Sequence, residues 1–198
     1  MLKPVDVVVF DFDGTLSWPD SNVAFARYCM RHSVKPWLYL PMMGLCAMVR
    51  LFNRGGVWWR EHMRWFMTPE MVKKFVPGFV REHRRNRFGW AAEKVAAEHD
   101  AGNKVLLITA SPDYLIPELV RDMKFDAVLC SKMDSKNPRK YKFLCWGKNK
   151  VIAMDEWAKE HKFIPHVVRA YSDSKTDLPI MEIADQQIWI NPETGLPV

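Results

Sequence analysis

Short apolar runs, each cut off by a polar turn, limit this chain to few folds. Val5 to Phe10 ends at Asp11, and Lys104 to Ile108 leads into Thr109-Ala-Ser. Ala127 to Cys130 leads into polar sequence, and Val167 to Tyr171 leads into Ser172-Asp-Ser. Buried parallel strands read this way, apolar on both faces with the carboxyl end opening onto a ligand site. Gln187 to Ile190 reads as a last strand. Helices are expected at Trp90 to Asp100, Tyr114 to Lys124, Val151 to His161 and Asp177 to Ala184, with Gly102 ending the first. The alternation predicts an α/β fold, a Rossmann-like parallel sheet sandwiched between helices.

Residues 17–87 break the alternation, being rich in Trp, Met, Phe and Arg and poor in strand pattern. They are expected to form a helical cap inserted into a core made of 1–16 and 88–198. Trp58-Trp59, Met63 and Phe66-Met67 recur at near-helical spacing, as the packed interior of such a cap does. Pro36 to Phe52 is nearly all apolar, yet broken by Pro41, Gly44 and Arg50, and it is short for a spanning helix. Arg27, Arg31 and Lys35 precede it; Arg54, Arg60 and Arg64 follow. Two readings stand: a segment lying against an anionic bilayer surface, or a buried cap helix. Arg81 to Arg87 reads as a solvated basic face, and Ser131 to Cys145 as a polar hairpin or flap.

The net charge of +6 favours an anionic partner. Cys29, Cys46, Cys130 and Cys145 form no CxxC pair, which fits free thiols in a reduced, cytoplasmic setting. The amino-terminal stretch lacks the pattern of a secretion signal. The histidines show neither HxH nor HExxH spacing, so a zinc site is not expected.

The chemistry gathers after the first strand, in Asp11-Phe-Asp-Gly-Thr. Side chains two apart in an extended segment project to one side, so Asp11 and Asp13 are expected to converge. Paired carboxylates divide labour, one ionised as nucleophile and the other protonated as acid. A calcium loop is excluded, because its glycine belongs at loop position six and its glutamate at twelve.

Asp11-Phe-Asp13-Gly-Thr15 resembles the first motif of the haloacid dehalogenase superfamily. Thr109 in Leu-Leu-Ile-Thr-Ala-Ser resembles the second motif, Lys150 in Gly-Lys-Asn-Lys-Val the third, and Ser172-Asp173-Ser-Lys-Thr-Asp177 the fourth. Ser172 stands where many relatives have Gly. The resemblance implies that Asp11 attacks phosphorus and that Asp13 acts as general acid and base. It implies that Thr109 binds a phosphoryl oxygen and Lys150 neutralises charge, with Lys148 a nearby competitor. Mg²⁺ would be held by Asp11, Asp173 and the main-chain carbonyl of Asp13, with Asp177 in support.

The helical insertion resembles that of the branch containing phosphoserine phosphatase, subfamily IB of the superfamily. Asp20 lies near where those enzymes keep a substrate-facing Glu, and it is equally placed to cap a helix starting at Ser21. Asp20 and Ser111 are the candidate substrate-binding residues. Ile-Thr-Ala-Ser-Pro, Cys-Trp-Gly-Lys-Asn-Lys-Val and Tyr-Ser-Asp-Ser resemble motifs of bacterial phosphatidylglycerophosphatase C, as does the apolar, basic-flanked cap segment. That likeness implies a lipid phosphate as substrate and membrane association through 36–52, with no specific nucleic-acid partner. The alternative substrate is soluble: a phosphoserine-like or sugar phosphate, or a nucleic-acid end.

Overall fold

A computed structural model describes residues 2–52, 61, 64 and 66–198. The first strand is β1 (Lys3–Phe10), and the cap helices α1 (Ser21–His32), α2 (Lys35–Leu38), α3 (Leu40–Phe52) and α4 (Pro69–His83) follow. The core resumes with α5 (Ala91–Asp100), β2 (Lys104–Pro112), α6 (Ile116–Leu119), β3 (Ala127–Met133) and β4 (Tyr141–Phe143). It ends with α7 (Lys148–Glu160), β5 (Phe163–Ser172), α8 (Leu178–Met181) and β6 (Gln186–Trp189).

The strands form one six-stranded sheet in the order β4-β3-β2-β1-β5-β6. β4 is antiparallel to β3 and the remaining pairs are parallel. Strand alternation explains the two apolar layers. Val8, Phe10, Val105 and Leu107 pack on one face of the sheet, while Val7, Val9, Leu106 and Ile108 pack on the other. Each such fully buried side chain is worth roughly 1.5–3 kcal/mol, which fixes the register. After β1 the chain builds β2 and β3 on one side, then β5 and β6 on the other. That reversal opens a crevice at the carboxyl ends of β1 and β5.

The helical segment between β1 and β2 begins and ends side by side. Ser17 bridges Arg87, the Trp18 amide donates to the Asn86 carbonyl, and the Phe88 amide donates to the Leu16 carbonyl. Cap and core share one interior: Phe25, Tyr28, Phe66, Phe75 and Phe79 belong to the same cluster as Val8 and Phe10. Arg81 to Arg87 is more than a solvated face. Arg84 donates to the Glu118 carbonyl and Arg87 pairs with Asp122 at 2.7 Å, tying the end of the cap to the core.

Other expectations shift. Tyr114 to Lys124 is helical only over Ile116–Leu119, because a second reverse turn, Met123 N to Val120 O, takes over beyond Val120. Asp177 to Ala184 likewise shrinks to Leu178–Met181 after a 3₁₀ turn at Lys175–Asp177. Ser131 to Cys145 is the β3–β4 hairpin, and all the cysteines are free and buried. Pro36 to Phe52 divides into α2 and α3 around Tyr39, with Trp37 53%, Leu38 76% and Met48 56% exposed. Among the described residues no helix is long and apolar enough to cross a membrane. Trp58, Trp59, Met63, Arg54 and Arg60 lie outside the described residues.

Candidate active site

The end of β1 is tied directly to β5. The Asp11 amide donates to the Tyr171 carbonyl at 3.0 Å, which sets Asp11 beside the Ser172-Asp173 turn. The chain then doubles back, the Leu16 amide donating to the Phe12 carbonyl at 2.9 Å. Gly14 sits in this loop with φ +82°, and a Cβ there would lie 2.3 Å from Asp173 Oδ2, so only glycine fits. Thr15 clamps the other side: its Oγ1 accepts from the Asp173 amide at 3.1 Å and donates to Asp173 Oδ1 at 3.3 Å.

Lys150 reaches the same place from the first turn of α7. Gly147, with φ +57°, starts that helix, and the Lys150 amide closes its first turn on the Gly147 carbonyl. The Lys150 ammonium, 2% exposed, donates to Asp11 Oδ1 at 2.8 Å and to Asp177 Oδ2 at 2.7 Å. Lys148 is exposed and takes no part. Ser172 Oγ donates to the same Asp177 oxygen at 2.7 Å, a contact that glycine could not make.

Asp13 is held from two sides. Ser21, the first residue of α1, donates its amide at 2.6 Å and its hydroxyl at 3.0 Å, and Ser111 donates its hydroxyl from β2. Asn22 Nδ2 braces Ser111 Oγ at 2.6 Å. Thr109 Oγ1 accepts from the Ser111 amide at 3.2 Å. Asp20 caps α1, accepting from the Val23 amide at 3.0 Å. The sequence reading thus missed Thr15, Ser21 and Asn22; only the neighbouring DxDGT motif and the cap position of Asp20 hinted at them.

Burial pushes Asp11 up to about 8 even though the Lys150 ammonium opposes it. Burial disfavours the charge on Lys150, but Asp11 and Asp177 outweigh that and raise its pKa. Asp13 is pushed up to about 7, by burial first and the Asp20 charge second, against the donors Ser111 and Ser21. A carboxyl tuned to that value exchanges protons near neutrality. Asp173 is also raised by burial.

Because Asp13 moves from 3.8 to about 7 on folding, the native state holds the extra proton between those values. Its contribution to stability is full below the unfolded value and is lost as pH rises through the folded one. The melting temperature of the cation-free protein is therefore expected to fall between pH 4 and pH 7, and to fall less in Asp13→Asn. Differential scanning fluorimetry in chelator checks this.

Asp11 and Asp173 follow the carboxyl ends of β1 and β5 and offer oxygen atoms, the kind of donor that a hard cation takes. Among the described residues no group of three or more His, Cys, Asp or Glu side chains is placed to hold a metal ion by itself. The Asp13 carboxylate is engaged by Ser21 and Ser111. Two carboxylates and a carbonyl suit a cation that keeps several waters.

A crevice at a sheet reversal that gathers aspartates around a buried lysine defines a hydrolase of one family. The chain belongs to the haloacid dehalogenase-like hydrolases, whose family model matches residues 8–182. A probable phosphatase of Mycobacterium tuberculosis is 30% identical over 112 residues, covering 55% of this chain and 39% of that protein. The chain thus aligns with only about two fifths of that relative's length. A Bordetella pertussis Tohama I protein of unknown function superposes with a TM-score of 0.80 at 20% identity, over 96% of this chain and 92% of its own. A probable phosphoserine phosphatase from Vibrio cholerae gives 0.68 at 15% identity, over 95% and 56%. These two structures share the fold.

Proposed function

We propose that the chain is a magnesium-dependent phosphomonoesterase that works through an aspartyl-phosphate on Asp11, in the phosphoserine phosphatase-like branch of its family. One observation carries the reading: the Lys150 ammonium pins Asp11, while Asp13 is held by the hydroxyl and amide donors of Ser21 and Ser111, with no cation against it among the described residues. The two carboxyls are thereby set for different tasks. An Asp11 oxygen attacks phosphorus as the ester oxygen departs, and Asp13 gives that oxygen its proton. Asp13 then takes a proton from water, whose oxygen attacks the phosphorus and frees inorganic phosphate and Asp11. Lys150 and the Thr109 hydroxyl offset charge on the phosphoryl oxygens. Mg²⁺ held by Asp11, Asp173 and the Asp13 carbonyl would supply further neutralisation of that charge. The relative named as a probable phosphatase supports this reading.

The substrate we propose is a lipid phosphate such as phosphatidylglycerophosphate, met at an anionic bilayer. Val34, Trp37, Leu38 and Met48 are exposed along α2, α3 and the turn before them, and Arg27, Arg31 and Lys35, near to them in sequence, are exposed as well. An apolar edge bordered by cations matches the surface of an anionic membrane. Initial rates on phosphatidylglycerophosphate in anionic vesicles are expected to exceed those on phosphoserine or sugar phosphates by about tenfold in kcat/KM. Trp37→Ser with Leu38→Ser is expected to erase the advantage and leave soluble-substrate rates unchanged. Faster turnover of phosphoserine would overturn the lipid assignment and favour a soluble metabolite.

A further inference from the structure

A cleft of about 630 Å³ opens between α1 and α4, and the catalytic aspartates do not line it. Ala24, Met30 and Phe79 form its apolar wall; Arg27, Arg31, Asn86, His83 and the carboxylate of Glu82 bring polar groups to it. Its volume lies in the range of small-molecule sites. The charges do not cancel. Arg31 pairs with Glu82 at 3.5 Å, both side chains being largely exposed. Such an exposed pair is readily exchanged for another anion. The Arg27 side chain has no hydrogen bond or ion pair among the described residues, so the cleft, with Arg27, Arg31 and Glu82, holds a cation in excess. Asn86 Nδ2 is 3.3 Å from His83 Nδ1, and His83 Nε2 is 3.5 Å from Ser17 Oγ. That network joins the two linkers of the cap. The exposed Trp37 indole donates to the Met30 carbonyl at 2.8 Å, so the apolar edge of α2 reaches the cleft wall.

We infer that this cleft is a second anion site, built for a phosphate group that carries an apolar body. Guanidinium forks match phosphate oxygens in pairs, and Met30, Phe79 and Ala24 offer the body a dry wall. The inference does not depend on the catalytic reading, because it rests on different residues.

Calorimetric titration of the whole chain with dihexanoylphosphatidylglycerol below its micelle concentration tests it. This phosphodiester survives a monoesterase and carries both the anion and the apolar body. One site is expected, weakened about tenfold or more by Arg27→Gln and by Ala24→Trp, and unchanged by Asp173→Asn. Inorganic phosphate is expected to bind there about tenfold more weakly than the lipid. Undiminished binding in Arg27→Gln and Ala24→Trp variants that melt like the parent overturns the site. Loss of binding in Asp173→Asn moves the ligand to the catalytic crevice and also overturns it. Equal affinity for inorganic phosphate and the lipid overturns the apolar half of the proposal.

Discussion

Replacing Asp11 by Asn is expected to lower kcat by at least about 10⁴-fold while the protein stays folded. The amide keeps the shape of the side chain but has no anionic oxygen to attack phosphorus. Lys150 keeps its bond to Asp177 at 2.7 Å, so the variant does not strand a buried cation. It also removes a carboxyl that burial already disfavours in its charged form. Single-turnover phosphate release, measured beside a thermal melt, separates lost chemistry from lost fold. Near-parental turnover would remove Asp11 as nucleophile.

Lys150→Met carries the other large effect, and it strikes stability as well as rate. The ammonium lies between Asp11 and Asp177 and is 2% exposed. Its loss leaves two buried carboxylates facing each other with no cation between them. Deleting one partner of a buried pair costs about 3–5 kcal/mol, and loss of a charge-stabilising donor costs about 10²–10³-fold in kcat. Burial raises the Asp11 pKa and the lost ammonium no longer opposes it, so the variant should be more stable near pH 5 than near pH 8. Adding Asp177→Asn to Lys150→Met should recover stability and leave the rate low. Recovery of both together would show that Lys150 acts only as a structural tie.

The strands were legible in the sequence because they depend on local signals, whereas Lys150 and Asp173 stood out through their resemblance to family motifs. A β-branched run ending in Asp-x-Asp-Gly, or a glycine three residues before a lysine at a helix start, is written within a few residues. The support for Asp13 was not legible. Ser111 lies in β2 and Ser21 in the cap, and only the fold brings them to one carboxylate. Ser172 read as a small replacement for glycine, whereas its hydroxyl binds Asp177. Asp20 offered two readings to the sequence; the structure shows it capping α1. Arg84 and Arg87 looked like solvent-facing charge because their partners, Glu118 and Asp122, are more than thirty positions away. The interior that the helices between β1 and β2 share with the sheet was hidden for the same reason: Phe25 and Phe79 lie in helices far apart in the chain, and only the fold brings their rings together.

The claim on which the rest depends is that Asp11 carries the phosphoryl group during turnover. Rapid acid quenching of the enzyme at work, followed by borohydride reduction and peptide mass spectrometry, reads that directly. Reduction of the side chain at position 11 to the alcohol is expected, dependent on substrate and absent in Asp11→Asn. Turnover with position 11 unmodified, or trapping at any other residue, would contradict it.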